Sequence, residues 1–200
     1  MSTDPTTTAG ELHAVVLAAG AGSRFGGGKL RADYRGKPLI AWAVEAACAS
    51  PAVRVTLVTG ADPEVAAAAR CDCRRPLLVT QAMDWAEGLA ASLRAGFSSA
   101  PANAAGVFVF LGDMPRTPRG LGDALLEALK DGKAAAAPVF QGRRGHPVLV
   151  GPALMPAVAN LAGDVGLNGL LETLGAQLAL VEVDDDGVLF DVDAPEHLQA

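Results

Sequence analysis

An α/β fold, built as a three-layer Rossmann-like sandwich around a mainly parallel sheet, is predicted by three features of the sequence. Short Val/Leu-rich runs alternate with Ala-rich helical stretches, the pattern of successive βαβ units. The first apolar run, His13-Ala14-Val15-Val16-Leu17, reads as a buried strand and leads directly into a glycine-rich loop. A chain of 200 residues with 50% hydrophobic content is long enough to bury a substantial core as one domain.

Taken in order, the apolar runs predict strands at His13–Ala18, Val53–Thr59, Leu77–Thr80, Gly106–Leu111, Ala134–Val139, Val148–Val150 and Leu178–Val183. The stretches between them predict helices at Pro38–Ala49, Pro63–Arg70, Leu89–Ala95, Leu121–Lys130, Pro152–Ala159 and Leu167–Leu174. Ala66–Ala69 and Ala134–Ala137 read as small-residue packing rather than low complexity. Neither an internal repeat nor a linker divides the chain, so residues 11–200 form a single domain behind a loose tail, Met1–Gly10, rich in Thr and small residues.

Composition excludes several function classes. A net charge of −6, from 16 basic and 22 acidic residues, argues against a nucleic-acid surface, which concentrates basic residues on one face. No apolar segment reaches the roughly 18 to 20 residues of a membrane helix, and the first ten residues lack the apolar centre of a signal peptide. Cys48, Cys71 and Cys73 give an odd count without a C-x-x-C pair, which predicts neither a disulfide framework nor a structural zinc site. Cys71-Asp72-Cys73 reads as an incidental pair, and a reducing cytoplasmic location is the expectation.

Function is concentrated in Leu17-Ala18-Ala19-Gly20-Ala21-Gly22-Ser23-Arg24-Phe25-Gly26-Gly27-Gly28-Lys29. Glycines allow backbone N–H groups to turn toward an anion, and Arg24 and Lys29 add charge-assisted hydrogen bonds, so the loop suits a polyphosphate. A Walker A loop is excluded because Leu30, not Ser or Thr, follows Lys29. A dinucleotide fingerprint is excluded because Arg31–Gly36 separates the last glycine from the next helical pattern.

Leu17-Ala18-Ala19-Gly20 through Arg24 and Lys29-Leu30, then Gly36-Lys37-Pro38-Leu39, resembles the pattern of MobA-like nucleotidyltransferases. Within that superfamily the chain is most similar to molybdenum cofactor cytidylyltransferases. Trp85-Ala86-Glu87-Gly88 with Ser92-Leu93, Gly112-Asp113-Met114-Pro115, Gly145-His146-Pro147, Gly163-Asp164-Val165-Gly166 and Asp191-Val192-Asp193-Ala194-Pro195-Glu196 follow in the family's order, so the resemblance spans nearly the whole chain. It implies the nucleotide-diphospho-sugar transferase type of fold and a magnesium-dependent transfer of CMP from CTP to the phosphate of molybdopterin or the molybdenum cofactor. A molybdoenzyme or its maturation factor is the implied partner.

Ligands of open α/β sheets gather beyond the carboxyl ends of strands, where the loops after Leu17, Thr80 and Leu111 should converge. Asp113, directly after an apolar run, is placed to coordinate a hard divalent cation through oxygen, although a Gly-Asp-Met-Pro turn is the alternative reading. Asp191 and Asp193 alternate along an extended segment and should share a side, with Asp193 the second metal ligand by resemblance. The run Asp184-Asp185-Asp186-Gly187 reads instead as a solvated turn between two strands.

The implied chemistry needs no protein nucleophile: an acceptor phosphate attacks the α-phosphate and pyrophosphate leaves, so the enzyme aligns reactants and neutralises charge. Arg24, Lys29 and Asp113 carry that work. Leu17, Ala18, Ala19, Gly20, Gly22 and Ser23, with Thr80 and Ser92, form the expected nucleotide site. Ala19 marks the cytidine-using branch, since relatives using guanine nucleotides usually have glycine there. Trp85, Gly145, His146 and Asn168 are the expected acceptor contacts, with buried packing and a turn-backbone role as alternatives for Trp85 and His146. His13 and His197 read as structural or surface residues.

The sequence departs from the family at Phe25, where Met is common, at Ala82, where Asn is often found, and at Leu167-Asn168, where an Arg frequently follows Gly-Asp-x-Gly. The last departure bears on the identity of the acceptor more than on the reaction class. The alternative readings are transfer from GTP or another nucleotide, another phosphorylated acceptor such as a sugar phosphate, and a non-catalytic nucleotide-responsive carrier of the molybdenum cofactor.

Overall fold

The computed structural model describes residues 10–70, 73, 75–130, 132–163 and 165–199, with the Arg24 side chain outside that set. The expected tail therefore lies outside the described residues, except for Gly10, whose Cα packs against the backbone of Asn103.

The elements are β1 (Leu12–Ala18), β2 (Asp33–Tyr34), β3 (Lys37–Pro38), α1 (Leu39–Ala49), β4 (Arg54–Thr59), α2 (Val65–Ala68), β5 (Leu77–Gln81), α3 (Leu89–Ser98), β6 (Gly106–Leu111), α4 (Leu121–Ala128), β7 (Ala135–Phe140), β8 (Arg143–Arg144), β9 (Val148–Val150), α5 (Met155–Ala159), α6 (Leu167–Glu172) and β10 (Leu178–Glu182). The main sheet runs β10-β7-β9-β6-β1-β4-β5, with β8 paired to β7. Pairs β1–β4, β1–β6, β4–β5 and β7–β10 are parallel, as predicted, and β9 is an antiparallel insert between β6 and β7.

Alternation along β1 separates the core into two layers. Ala14, Val16 and Ala18 face one side, with α1 (Leu39, Ile40, Val44) and α4 (Leu121, Leu125). Val15 and Leu17 face the other, with α3 (Leu93, Phe97), α5 (Val158) and α6 (Leu167, Leu171). This is the predicted three-layer sandwich, each face of the sheet covered by helices.

Several local expectations are corrected. The helix predicted at Pro63–Arg70 shrinks to Val65–Ala68, entered through a turn in which the Asp62 carboxylate accepts the Glu64 N–H at 3.0 Å. The helix at Leu89 extends to Ser98, with Gly96 letting it lie against Val15 and Val58. The Asp184–Gly187 turn follows β10, where Asp185 accepts the Gly187 N–H at 2.8 Å, but no second strand follows among the described residues.

The cysteine expectation is also overturned: Cys48 and Cys73 form a disulfide with Cα atoms 6.0 Å apart. Folding brings the end of α1 beside the segment after α2, a proximity that spacing in sequence does not encode. Cys71 lies outside the described residues.

Candidate active site

Chain order makes β1 and β6 the topological switch point. From β1 the chain moves outward to β4 and β5, then returns to place β6 on the other side of β1, so a crevice opens where the two loops diverge. The Gly112 N–H donates to Leu17 C=O at 2.9 Å, which seats Asp113 beside the glycine loop. That approach leaves no room for a side chain: a Cβ on Gly112 would lie 2.9 Å from both Leu17 O and Ile40 Cδ1.

The glycine loop folds as two short 3₁₀ turns, Ser23–Phe25 and Lys29–Arg31, joined through Gly26, Gly27 and Gly28 at φ of 87°, 93° and 65°. Three consecutive left-handed residues require glycine and turn the loop back toward the sheet. Lys29 is thereby delivered to the carboxylates, its Nζ 2.7 Å from Asp113 Oδ2 and 3.7 Å from Asp193 Oδ1. The second acidic segment is tied in by the Val192 N–H, which donates to Asp113 C=O at 3.0 Å, and by the Asp193 N–H, which donates to His197 Nδ1 at 3.1 Å. Both histidines outside the site are structural, since His13 Nε2 lies 2.9 Å from Thr56 Oγ1 in the core.

Asp113 and Asp193 both press their charge on Asp191. Burial, followed by the charges of Asp193 and Asp113, raises the Asp191 carboxyl above its ordinary value. Among the described residues no three acidic, histidine or cysteine side chains already converge as a metal-ligand set.

Two cavities flank Lys29. One, of about 110 Å³, is lined by Leu17, Ala18, Gly20, Ala21, Gly22, Gly28, Lys29, Leu30, Asp62, Val65 and Asp113. The other, of about 220 Å³, is lined by Gly22, Ser23, Phe25, Lys29 and Asp193. Most expected nucleotide and metal residues therefore meet around one ammonium group, while the Arg24 side chain lies outside the described set.

Ala19, Thr80 and Ser92 line neither cavity. The Ala19 methyl is buried, close enough to Gly60 that a Cβ there would meet it at 2.7 Å and Trp85 Cβ at 2.8 Å. Trp85 accordingly packs on the wall behind the glycine loop. Gly145 is buried against Val188 C=O, and the His146 N–H donates to that same carbonyl at 2.9 Å. Burial holds the His146 imidazole below its ordinary pKa, against the opposing pull of a Val109 carbonyl and Asp113, and its Nδ1 is buried with no hydrogen-bond partner among the described residues. Asn168 Oδ1 accepts from Arg144 Nη2 at 3.2 Å, so a guanidinium from β8 reaches the segment where the family's arginine is missing.

Asp62 was not among the expected site residues. It follows β4, whose carboxyl end adjoins β1, and that adjacency was the available signal. Arg31 Nε donates to Asp62 at 2.7 Å and Arg31 Nη1 lies 2.7 Å from Glu64, clasping the glycine loop to the loop after β4; the same contact lowers the Asp62 pKa.

A parallel-sheet crevice with a glycine loop, a lysine and paired acidic segments defines the nucleotidyltransferase class. The chain belongs to the MobA-like NTP transferase domain family, whose model matches residues 14–180. It is 31% identical over 192 residues to nicotine blue oxidoreductase of Paenarthrobacter nicotinovorans, covering 92% of this chain and 93% of that protein. The Rv0371c structure from Mycobacterium tuberculosis H37Rv superposes with a TM-score of 0.79 at 25% identity, over 96% of this chain and 97% of that chain. A manganese complex of Rv0371c gives 0.72 at 24% identity, over 89% and 90%. A nucleotidyl transferase from Methanothermobacter thermautotroptrophicus shares the fold, with a TM-score of 0.74 at 22% identity over 94% of both chains.

Proposed function

We propose that this protein is a divalent-metal-dependent cytidylyltransferase that joins CMP from CTP to the phosphate of molybdopterin or its molybdenum-loaded form, releasing pyrophosphate. The observation that carries the reading is Lys29, held between Asp113 and Asp193 at the switch point of the sheet. The negative charge that Asp193 and Asp113 press on Asp191 is what a hard cation relieves, and an all-oxygen donor set suits magnesium. Asp113 and Asp193, with Asp191 beside them, would hold that ion, which supplies charge neutralisation on the transferring phosphate.

The remaining work belongs to the chain. Backbone groups of Gly20–Gly28 cradle the triphosphate, and Lys29, with Arg24, neutralises charge as pyrophosphate departs. Gly145, His146 and Asn168 border the acceptor side, with Trp85 as its wall. Burial favours the neutral imidazole of His146, while Arg144 brings positive charge toward a phosphate-bearing substrate.

Thermal-shift measurements with CTP, GTP, ATP and UTP, each with and without magnesium, test the reading. Ligand at about 100 times its dissociation constant adds roughly 2.7 kcal/mol. A magnesium-dependent shift largest for CTP and absent in Asp113→Asn supports it; a larger GTP shift moves it to guanylyl transfer, and a sugar-phosphate acceptor is separated by product mass. Nucleotide binding without pyrophosphate release when acceptor is supplied supports a carrier. The name of the 31% identical relative favours a second reading, an oxidoreductase using the same crevice; substrate reduction without nucleotide cleavage would establish it.

A further inference from the structure

A further cavity, of about 560 Å³, lies apart from the Lys29 crevice, between α1 (Trp42, Glu45, Ala46, Ala49) and the loop Pro115–Gly120, with Arg35 and Asp185 at its rim. Three arginines, Arg35, Arg116 and Arg119, line it in a chain whose net charge is −6. Of the two lining carboxylates, Glu45 is neutralised by pairing with Lys37, while Asp185, which accepts the Gly187 N–H at 2.8 Å, keeps its charge, so among the described residues three guanidinium groups face one uncompensated carboxylate.

Arg116 is the informative member. Its Nε donates to the Tyr34 hydroxyl at 2.9 Å and its guanidinium stacks on Phe190, 3.7 Å from the ring centroid. Its carbonyl packs so tightly on Gly187 that a Cβ there would approach within 2.1 Å. The group is half-buried and fixed, yet neither Arg116 nor Arg119 forms an ion pair among the described residues. Taking a guanidinium partly out of water without a counter-charge is costly, and a fixed fork is the form in which arginine recognises oxyanions best.

We infer that this cavity is a second anion site, which takes a small phosphoryl-bearing anion between Arg116 and Arg119. It stands next to the chemistry, since Arg116 follows Asp113 by three residues and Phe190 precedes Asp191, yet it shares no lining residue with the two cavities beside Lys29. Two sources share the ligand chemistry: pyrophosphate, which the proposed transfer releases, and inorganic phosphate or a single phosphoryl group.

Trp42 lines the cavity and becomes the sole tryptophan in a Trp85→Phe protein, the chain having two. Its emission is followed during titration with inorganic pyrophosphate, and separately with inorganic phosphate, in chelator. A saturable change is expected, weakened about 10- to 100-fold by Arg119→Gln and unaltered by Lys29→Ala. Arg119 is exposed, so its replacement does not threaten the fold. Tighter binding of pyrophosphate identifies the released product as occupant; equal binding identifies one phosphoryl group. No saturable response below about 10 mM, or a response lost in Lys29→Ala and kept in Arg119→Gln, overturns the inference. The readout is independent of turnover, so it survives even if the proposed transfer reaction is wrong.

Discussion

Lys29 and Asp113 form a 2.7 Å ion pair between residues 84 positions apart, joining the glycine loop to the loop after the neighbouring strand. The same ammonium lies 3.7 Å from Asp193, so one cation faces both acidic segments. If that charge is aimed at the departing pyrophosphate, Lys29→Ala lowers the rate of pyrophosphate release about 10²- to 10³-fold. Steady-state kinetics with circular dichroism checks it; loss of folded signal together with rate would assign Lys29 a structural role. Asp113→Asn should abolish metal-dependent turnover in a protein that remains folded.

Asp191 carries a different expectation, because its charge is unwelcome in the ligand-free molecule. Asp191→Asn removes repulsion from Asp193 and Asp113 and should raise the melting temperature at neutral pH in chelator by about 1–3 °C, a figure discounted for exposure. The magnesium-induced shift should shrink in the same variant. An unchanged magnesium shift would leave Asp191 outside the metal site.

How much of this was legible in the sequence depends on whether the signal was local. Continuous apolar runs identify β1 and β6, and the Asp after Leu111-Gly112 reads as a crevice residue because strand ends carry ligands. Val148–Val150 reads as a strand, but three valine- and leucine-rich residues hold no information about direction, so the antiparallel insertion of β9 is invisible. The β2–β3 hairpin is hidden because its turn places Arg35 at φ 52° before Gly36, where Asn or Gly is the usual signal. Asp62 and the Cys48–Cys73 pair depend on which distant segments become neighbours, which no local pattern records.

The disulfide closes a separation of 25 residues. In the chain-entropy view such a link stabilises by about 3 kcal/mol, so Cys73→Ser, or reduction, should lower the melting temperature by roughly 6–12 °C. Thermal unfolding with and without reductant measures this, with a thiol count confirming the redox state. Identical melting curves would show that the link adds nothing to stability.

Acid sensitivity follows from two histidines. Burial lowers the pKa of both His13 and His146 below the ordinary 6.5, with Arg54 adding to the shift at His13. Below that ordinary value the unfolded chain binds protons that the folded protein refuses, so stability is full above about pH 6.5 and falls as the pH drops toward the depressed folded values. Denaturant midpoints across that range should decline with acid. The slope should be shallower in His146→Gln, and an equal slope would place the proton uptake elsewhere.

Gly112 gives the sharpest separation of fold from site. Its substitution by Ala places a methyl 2.9 Å from Leu17 O, which is backbone and cannot rotate away, and 2.9 Å from Ile40 Cδ1, a flexible side-chain end. Ile40 can yield, but the strand-to-loop contact must widen, at a cost of about 1–3 kcal/mol. The same displacement moves Asp113, the next residue, away from Lys29. Gly112→Ala should therefore melt several degrees lower and lose far more activity than that stability loss explains, because the folded fraction at room temperature stays near one. Measuring activity well below the melting transition isolates the second effect. Full activity there would mean that the Lys29–Asp113 spacing tolerates the shift, and that catalysis does not depend on the tight seam between β1 and β6.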